Sequence, residues 1–303
     1  MKQPSPLYKG RFAPSPTGEL HFGSLVAAVG SYLQAKSQDG HWLVRIEDVD
    51  QTRTVPLSDQ HILKTLEDFG FEWDGEVVYQ SQRTKLYESY LEQLSAKNLI
   101  YPCDCSRSKL KQNQGNGLIS KAYPGYCRRK AGIVTSPNAL RCITNTETIS
   151  FQDMIQGQYT TQINKECGDF IVKRRDGFIA YHLAVAVDDA EQGITEIIRG
   201  ADLLTSTPQH LYLQQLLGLS QPVYAHLPIV MHDDGRKLSK SHQDLPIHKR
   251  PTVEILCSAL SFLNQPIPDN RQNLTLDAFW KWAIYNWDIR LVNKSRELGF
   301  NLS

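Results

Sequence analysis

An α/β fold is what this 303-residue chain predicts, and three features point to it. Short apolar runs suited to strands alternate with stretches of helical period. A Pro- and Gly-rich segment, APSPTGELHFGS, feeds directly into one of those stretches, as loops feed helices at the edge of such sheets. The rhythm breaks once, between about 101 and 130, where cysteines and turn residues mark an insertion. A chain of this length can bury a full core in one large domain or two modest ones. Hydrophobic residues at 41% and charged residues at 21% exclude a disordered or fibrous class.

The elements follow in order. After an extended start that ends near Gly18, HFGSLVAAVGSYLQAKS carries Leu25, Val29, Tyr32 and Lys36 at helical spacing, with Gly23 and Ser24 at its opening. HWLVRIED is a strand-like run, and SDQHILKTLEDFGF and RTKLYESYLEQLSAKN are amphipathic helices with Ser or Thr near their starts. KLKQNQGNGLISK, inside the insertion, has the composition of a mobile loop. GDFIVKRRDGFIAYHLAVAVDDA reads as strand, Asp-Gly turn and strand. ITEIIRGADLL and TPQHLYLQQLLGL continue as strand then helix, and DDGRKLSKSHQD is a polar loop. VEILCSALSFLN and LDAFWKWAIYNWDIRLVNKSRELG are read as helical, so the aromatics Phe279, Trp280, Trp282, Tyr285 and Trp287 are core residues before they are base-stacking ones.

Lysine and arginine number 33 against 32 acidic residues, so no global field attracts a polyanion, and any nucleic acid is met by a local patch. Arg128, Arg129 and Lys130, Lys173 with Arg174 and Arg175, and Lys249 with Arg250 are candidate phosphate contacts, each also readable as a solvated cluster. No apolar run reaches the length of about 18 residues that spans a bilayer. The start lacks the apolar stretch of a signal peptide, so a cytoplasmic chain with no membrane partner is expected. In that compartment clustered cysteines point to metal before disulfide. Cys103, Cys105 and Cys127 form such a cluster, but zinc takes four ligands and no fourth cysteine or histidine lies nearby. From the residues alone an incomplete metal site and three buried thiols both stay open.

APSPTGELHFGSL resembles the first signature of class I aminoacyl-tRNA synthetases, in the proline-rich form of the glutamyl enzymes. His21 and Gly23 match its first and third conserved letters, and Ser24 replaces a second histidine. Physically, a helix N-terminus offers unpaired N–H groups and a positive dipole end to the phosphates of ATP, and Gly23 lets the nucleotide approach the backbone. Lys237, Leu238, Ser239, Lys240 and Ser241 resemble the second signature, with Leu in place of Met. Lysines on a loop can neutralise charge developing on a reacting phosphate. RFAPSPTG, RIEDVDQTR and IAYHLAVAVDDAEQGITEIIRGADLLTSTPQ extend the likeness to glutamyl-tRNA synthetases over most of residues 8–245.

The resemblance implies a Rossmann-like catalytic domain over residues 1–250, with a small zinc-containing insertion at about 101–130, and a short helical C-terminal region over 251–303 without an anticodon-binding domain. It implies that Arg11, Phe12, Ala13, Pro14 and Ser15 line the amino-acid site, that Glu47 holds the ammonium group, and that Tyr181 and Arg199 complete the pocket. An amino acid with a second carboxylate needs guanidinium forks and an acid, which Arg11, Arg199 and Glu47 supply. ATP falls to His21, Gly23, Ser24 and Lys237 to Ser241, with His21 and Lys240 as catalytic residues and Mg2+ accompanying the nucleotide. The pattern C-x-C…Y-x3-C is similar to that of a zinc-bearing branch of the family and makes Tyr123 the fourth ligand of one structural Zn2+, with Tyr126 the adjacent rival. That branch activates L-glutamate with ATP, without needing tRNA, and transfers it to queuosine in the anticodon loop of tRNA(Asp). A monomer is the default expectation.

Overall fold

The computed structural model describes residues 7–106, 122–123, 125–129, 138–231, 247 and 251–300. In chain order its strands are β1 (Lys9–Phe12), β2 (His41–Ile46), β3 (Val78–Tyr79), β4 (Ile100–Cys103), β5 (Ala139–Cys142), β6 (Thr148–Asp153), β7 (Gly157–Gln162), β8 (Ile171–Lys173), β9 (Glu196–Gly200), β10 (Val223–Leu227), β11 (Ile229–Met231) and β12 (Glu297–Gly299). The longer helices are α1 (Phe22–Lys36), α2 (Ser58–Asp68), α3 (Thr84–Ala96), α4 (Tyr181–Glu191), α5 (Thr207–Leu217), α6 (Thr252–Phe262) and α7 (Leu276–Asn286).

Two parallel ribbons form the centre, β1-β2-β3 and β9-β10-β6, the latter edged by antiparallel β7. Thr195 at the entrance to β9 joins them. Its N–H donates to the Lys9 carbonyl at 2.9 Å, and Lys9 N–H donates to its Oγ1 at 2.9 Å. Strand order therefore reverses between β1 and β9, the position at which open α/β sheets bind ligands beyond the carboxyl ends of their strands.

Alternate strand residues enter opposite cores, as a two-residue period requires. Trp42, Val44, Ile46, Ile198 and Ala225 join α1, α6 and α7 on one face. Leu43, Ile197 and Tyr224 pack with α3, α4 and α5 on the other. β4, at the start of the insertion, makes a small antiparallel sheet with β5, which follows the insertion, and β8, and Cys103 stands at the end of β4.

Two sequence expectations are corrected. The second half of GDFIVKRRDGFIAYHLAVAVDDA is a helix: Ile179 alone pairs back to Lys173, and α4 begins at Tyr181. A continuous apolar run looks the same for a buried strand and a buried helix, and Leu183 through Asp189 are all buried. The last helical stretch ends at Asn286, because Trp287 is extended and the Asp288 carboxylate accepts the Arg290 N–H at 2.9 Å, a local bond that competes with helix continuation. The remainder returns as β12 alongside β11. KLKQNQGNGLISK and DDGRKLSKSHQD lie outside the described residues. No helix among the described residues is long and apolar enough to cross a membrane.

Candidate active site

A cavity of about 540 Å³ opens at the switch between β1 and β9. Arg11, Phe12, Ala13, Pro14 and Ser15, leaving the carboxyl end of β1, line it together with His21, Gly23, Ser24, Glu47, Tyr181 and Arg199. Residues scattered over nearly 190 positions thus meet because β1, β2 and β9 end side by side and α1 and α4 begin there. Lys237 to Ser241 fall outside the described residues.

His21 is the N-cap of α1. Its Nδ1 accepts the Ser24 N–H at 3.3 Å, and its Nε2 lies 3.1 Å from Ser24 Oγ. No acidic residue occupies the first turn, so the positive end of the helix dipole faces the cavity. A Cβ on residue 23 would meet the His21 ring at 3.1 Å, so glycine makes room for the ring as well as for a ligand.

Behind Glu47 lies a buried lattice of opposite charges. Arg45, fully buried, donates to Glu47 Oε1 at 3.2 Å, Asp189 Oδ1 at 2.8 Å and Gln192 Oε1 at 2.7 Å. Arg11 Nε pairs with Asp189 at 3.0 Å. Burial pushes the Glu47 carboxyl above its ordinary value despite Arg45 and Arg11, so a cation arriving beside it gains a strong partner. Asp189 is held low: its arginines outweigh its burial. Asp188, also buried, is met by Arg83 at 2.7 Å, Tyr87 at 2.7 Å and Gln80 at 2.8 Å. Asp48 instead binds Ser81 through its N–H and hydroxyl, and Asp50 pairs with Arg174, so both hold structure.

A second, larger cavity of about 990 Å³ shares Ser15, Glu47, Arg53 and Tyr181 with the first and runs to Cys103, Cys105 and Tyr123. The sulfurs of Cys103, Cys105 and Cys127 all lie within 4.8 Å of one another. Tyr123 Oη is 3.4 Å from Cys103 Sγ and 3.5 Å from Cys105 Sγ, whereas Tyr126 is exposed. Three thiols and one phenol therefore converge, a donor set that can hold a metal ion. Burial and the cysteines raise the Tyr123 phenol above its ordinary value, so a bound cation is what would favour the phenolate. Arg141 supports the cluster from behind: its Nε donates to Cys103 Sγ at 3.2 Å, and its guanidinium stacks 3.8 Å from the centre of the Tyr123 ring. Burial raises the Cys103 thiol, but its hydrogen bonds with Tyr123 and Arg141 outweigh it and hold the thiol below its usual value.

Several residues of the site escaped the sequence reading: Arg45, Asp188, Asp189, Thr207, His210 and His226. For Arg45, Asp188, Asp189 and His226 the signal was a charge or imidazole inside an apolar run (LVRI, AVAVDD, YAHL), which is tolerated only with a buried partner. Of the basic clusters, Arg174 is consumed by Asp50 and Asp176 and Lys173 meets Glu88, while Lys130, Lys249 and Arg250 are outside the described residues.

Residues 8–252 match the family model described as tRNA synthetases class I (E and Q), catalytic domain. The chain is 45% identical over 298 residues to a glutamyl-Q tRNA(Asp) synthetase of Pseudomonas syringae pv. tomato, covering 98% of each. It is 48% identical over 291 residues to one from Pseudomonas aeruginosa, covering 96% of this chain and 97% of that protein. Among solved structures, a glutamate-tRNA synthetase from Elizabethkingia anophelis superposes with a TM-score of 0.81 at 26% identity, over 98% of this chain and 68% of that one. With the cavity at the sheet's switch point and the cysteine cluster beside it, the chain belongs to the class I tRNA synthetase family (E and Q), among the glutamyl-Q tRNA(Asp) synthetases.

Proposed function

We propose that the smaller cavity binds L-glutamate and ATP and joins them as glutamyl-adenylate without tRNA, and that the larger cavity admits the queuosine base of tRNA(Asp), to which the glutamyl group is transferred. The observation that carries this reading is the convergence of the two arginines, Glu47 and the α1 N-terminus on one cavity. Arg11 and Arg199 receive carboxylate charge, Glu47 receives the ammonium group, and the α1 N-terminus with His21, Gly23 and Ser24 receives phosphate. A glutamate carboxylate oxygen attacks the α-phosphorus, and the bond to pyrophosphate breaks. The carboxylate is already ionised at neutral pH, so positioning and charge stabilisation do the catalysis. Lys237 and Lys240, with Leu238, Ser239 and Ser241, are assigned the leaving phosphates on sequence grounds, and Mg2+ accompanies the nucleotide.

The acceptor hydroxyl then attacks the glutamyl carbonyl and AMP leaves. That Ser15, Glu47, Arg53 and Tyr181 line both cavities supports this order. One structural Zn2+ on Cys103, Cys105, Tyr123 and Cys127 shapes the far wall of the acceptor cavity. The protein acts in the cytoplasm as a monomer, and residues 1–250 form the catalytic domain, followed by a short region over 251–303. The test is transfer of labelled glutamate, with ATP, onto tRNA(Asp) with and without queuosine and onto tRNA(Glu). Labelling that depends on queuosine is expected; labelling of tRNA(Glu) alone would make the chain a synthetase of the ordinary kind.

A further inference from the structure

The two arginines of the smaller cavity are held in opposite ways. Arg11 is met by the Asp189 carboxylate. Among the described residues, the hydrogen-bond partners of Arg199 are His226, His210, Thr207 and the Leu203 carbonyl, and none is a carboxylate. Its Nε donates to His226 Nε2 at 3.0 Å, and one Nη donates to Thr207 Oγ1 at 2.9 Å. Arg199 is buried, so this neutral cradle leaves its charge for a ligand.

The cradle is built from the sheet. His226 stands beside Arg199 in the parallel register of β9 and β10. On its far side, His226 Nδ1 lies 2.6 Å from Asp153 Oδ2, and both residues are fully buried. The other oxygen, Asp153 Oδ1, accepts the N–H groups of Ile155 at 3.0 Å, Gln156 at 2.9 Å and His226 at 3.1 Å. A carboxylate pinned in this way can only accept. His226 must therefore carry its proton on Nδ1 and present a lone pair on Nε2 to an arginine that can only donate.

We propose that Asp153 and His226 are positioning residues for Arg199: by fixing His226 as an acceptor they hold the guanidinium toward the cavity with its charge unmet, and so set the preference for an amino acid whose side chain ends in a carboxylate over the corresponding amide. The inference rests on the reading of this cavity as the glutamate site. Neither residue touches the substrate; both act through Arg199.

Asp153→Asn separates this role from simple packing. Three backbone N–H groups keep the amide oxygen, so the NH2 faces His226 Nδ1, the ring proton moves to Nε2, and donor faces donor at Arg199. The measurement is amino-acid-dependent exchange of labelled pyrophosphate into ATP, with glutamate and with glutamine. For Asp153→Asn and His226→Leu, the KM for glutamate should rise about 10- to 100-fold, the loss expected when a hydrogen bond to a charged group is removed. The KM for ATP should stay within about twofold, and the ratio of kcat/KM for glutamate over glutamine should fall. His226→Gln, whose amide can accept from Arg199 and donate to Asp153, should restore most of that ratio. Wild-type values in both Asp153→Asn and His226→Leu would overturn the proposal. If Asp153→Asn does not fold, the contrast between His226→Gln and His226→Leu decides. A wild-type protein without glutamate-dependent exchange would defeat the glutamate reading itself. The positioning is then judged by nitrogen NMR of the His226 ring: a proton on Nδ1 in the wild-type protein supports it, and one on Nε2 overturns it.

Discussion

At the scale of single residues, the site works by contrast between charges the protein satisfies and charges it leaves for a ligand. Glu47 is gripped on one side by Arg45 and opens to the cavity on the other. Glu47→Gln keeps the shape but removes the charge offered to an ammonium group. The KM for glutamate in pyrophosphate exchange should rise about 10- to 100-fold while that for ATP holds; an unchanged KM would take Glu47 out of the amino-acid site. Arg45 is different, being wholly internal. Arg45→Met strands Glu47 without its arginine and leaves Asp189 to Arg11 alone, and should lower stability by about 3–5 kcal/mol, read by denaturant unfolding. Arg11, Glu47 and Arg199 could be picked out from motif context, whereas Arg45 and Asp189 could not. A lone charge inside LVRI or AVAVDD announces that it needs a partner without saying which one.

At the scale of elements, the cysteine cluster depends on a backbone crossing. Gly168 has φ +61 and pairs with Tyr123 in an isolated parallel bridge. Any Cβ there would overlap the Tyr123 backbone N and O, so only glycine lets the chain before Asp169 lie flat against the segment bearing the phenol. Asp169 then fastens β4 and β5, accepting from Tyr101 Oη at 2.8 Å and Thr144 N–H at 2.7 Å. Gly168→Ala is expected to displace Tyr123 and reduce bound zinc per chain, measured by elemental analysis, while glutamate-dependent exchange persists because the smaller cavity does not include the cluster. Full zinc content in that variant would show that the crossing is dispensable. The spacing of the cysteines suggested a metal site from sequence, and the family pattern favoured Tyr123 over Tyr126; the fold buries the Tyr123 ring beside the cysteines and exposes Tyr126.

At the scale of the whole molecule, the joint between the two halves of the sheet is both the candidate binding site and a stability element. His210 is fully buried in the joint and its imidazole is pushed well below the ordinary value, first by burial and then by Arg199. An unfolded chain binds that proton below about pH 6.5, and the folded one does not. The stabilisation is therefore complete above about pH 6.5 and is lost as the pH falls, at about 1.4 kcal/mol per pH unit. His210→Gln should flatten the pH dependence of unfolding below pH 6.5 by that slope; an unaltered slope would mean the ring protonates in place. Metal removal tests the division between cavities. Removal of zinc by chelation, with the chelator then taken away and Mg2+ restored for ATP, should abolish transfer to tRNA(Asp) while sparing glutamate-dependent exchange, and equal loss of both would tie the cluster to activation as well.

The sequence by itself determined the fold class, the family and about half of the residues that line the smaller cavity, because signatures such as APSPTGELHFGS combine turn, cap and binding chemistry within a few consecutive positions. It misjudged AYHLAVAVDD and the end of the tail, since apolar runs do not disclose whether they are buried as strand or helix. Only the tertiary structure decided which charges are spent on the protein and which are left for a ligand. That depends on strands β2, β6, β9 and β10, far apart in the chain, placing Arg45 against Asp189 and Asp153 behind His226. Pairings of this kind have no local pattern, because the partner is chosen by sheet register and helix packing rather than by neighbours in sequence.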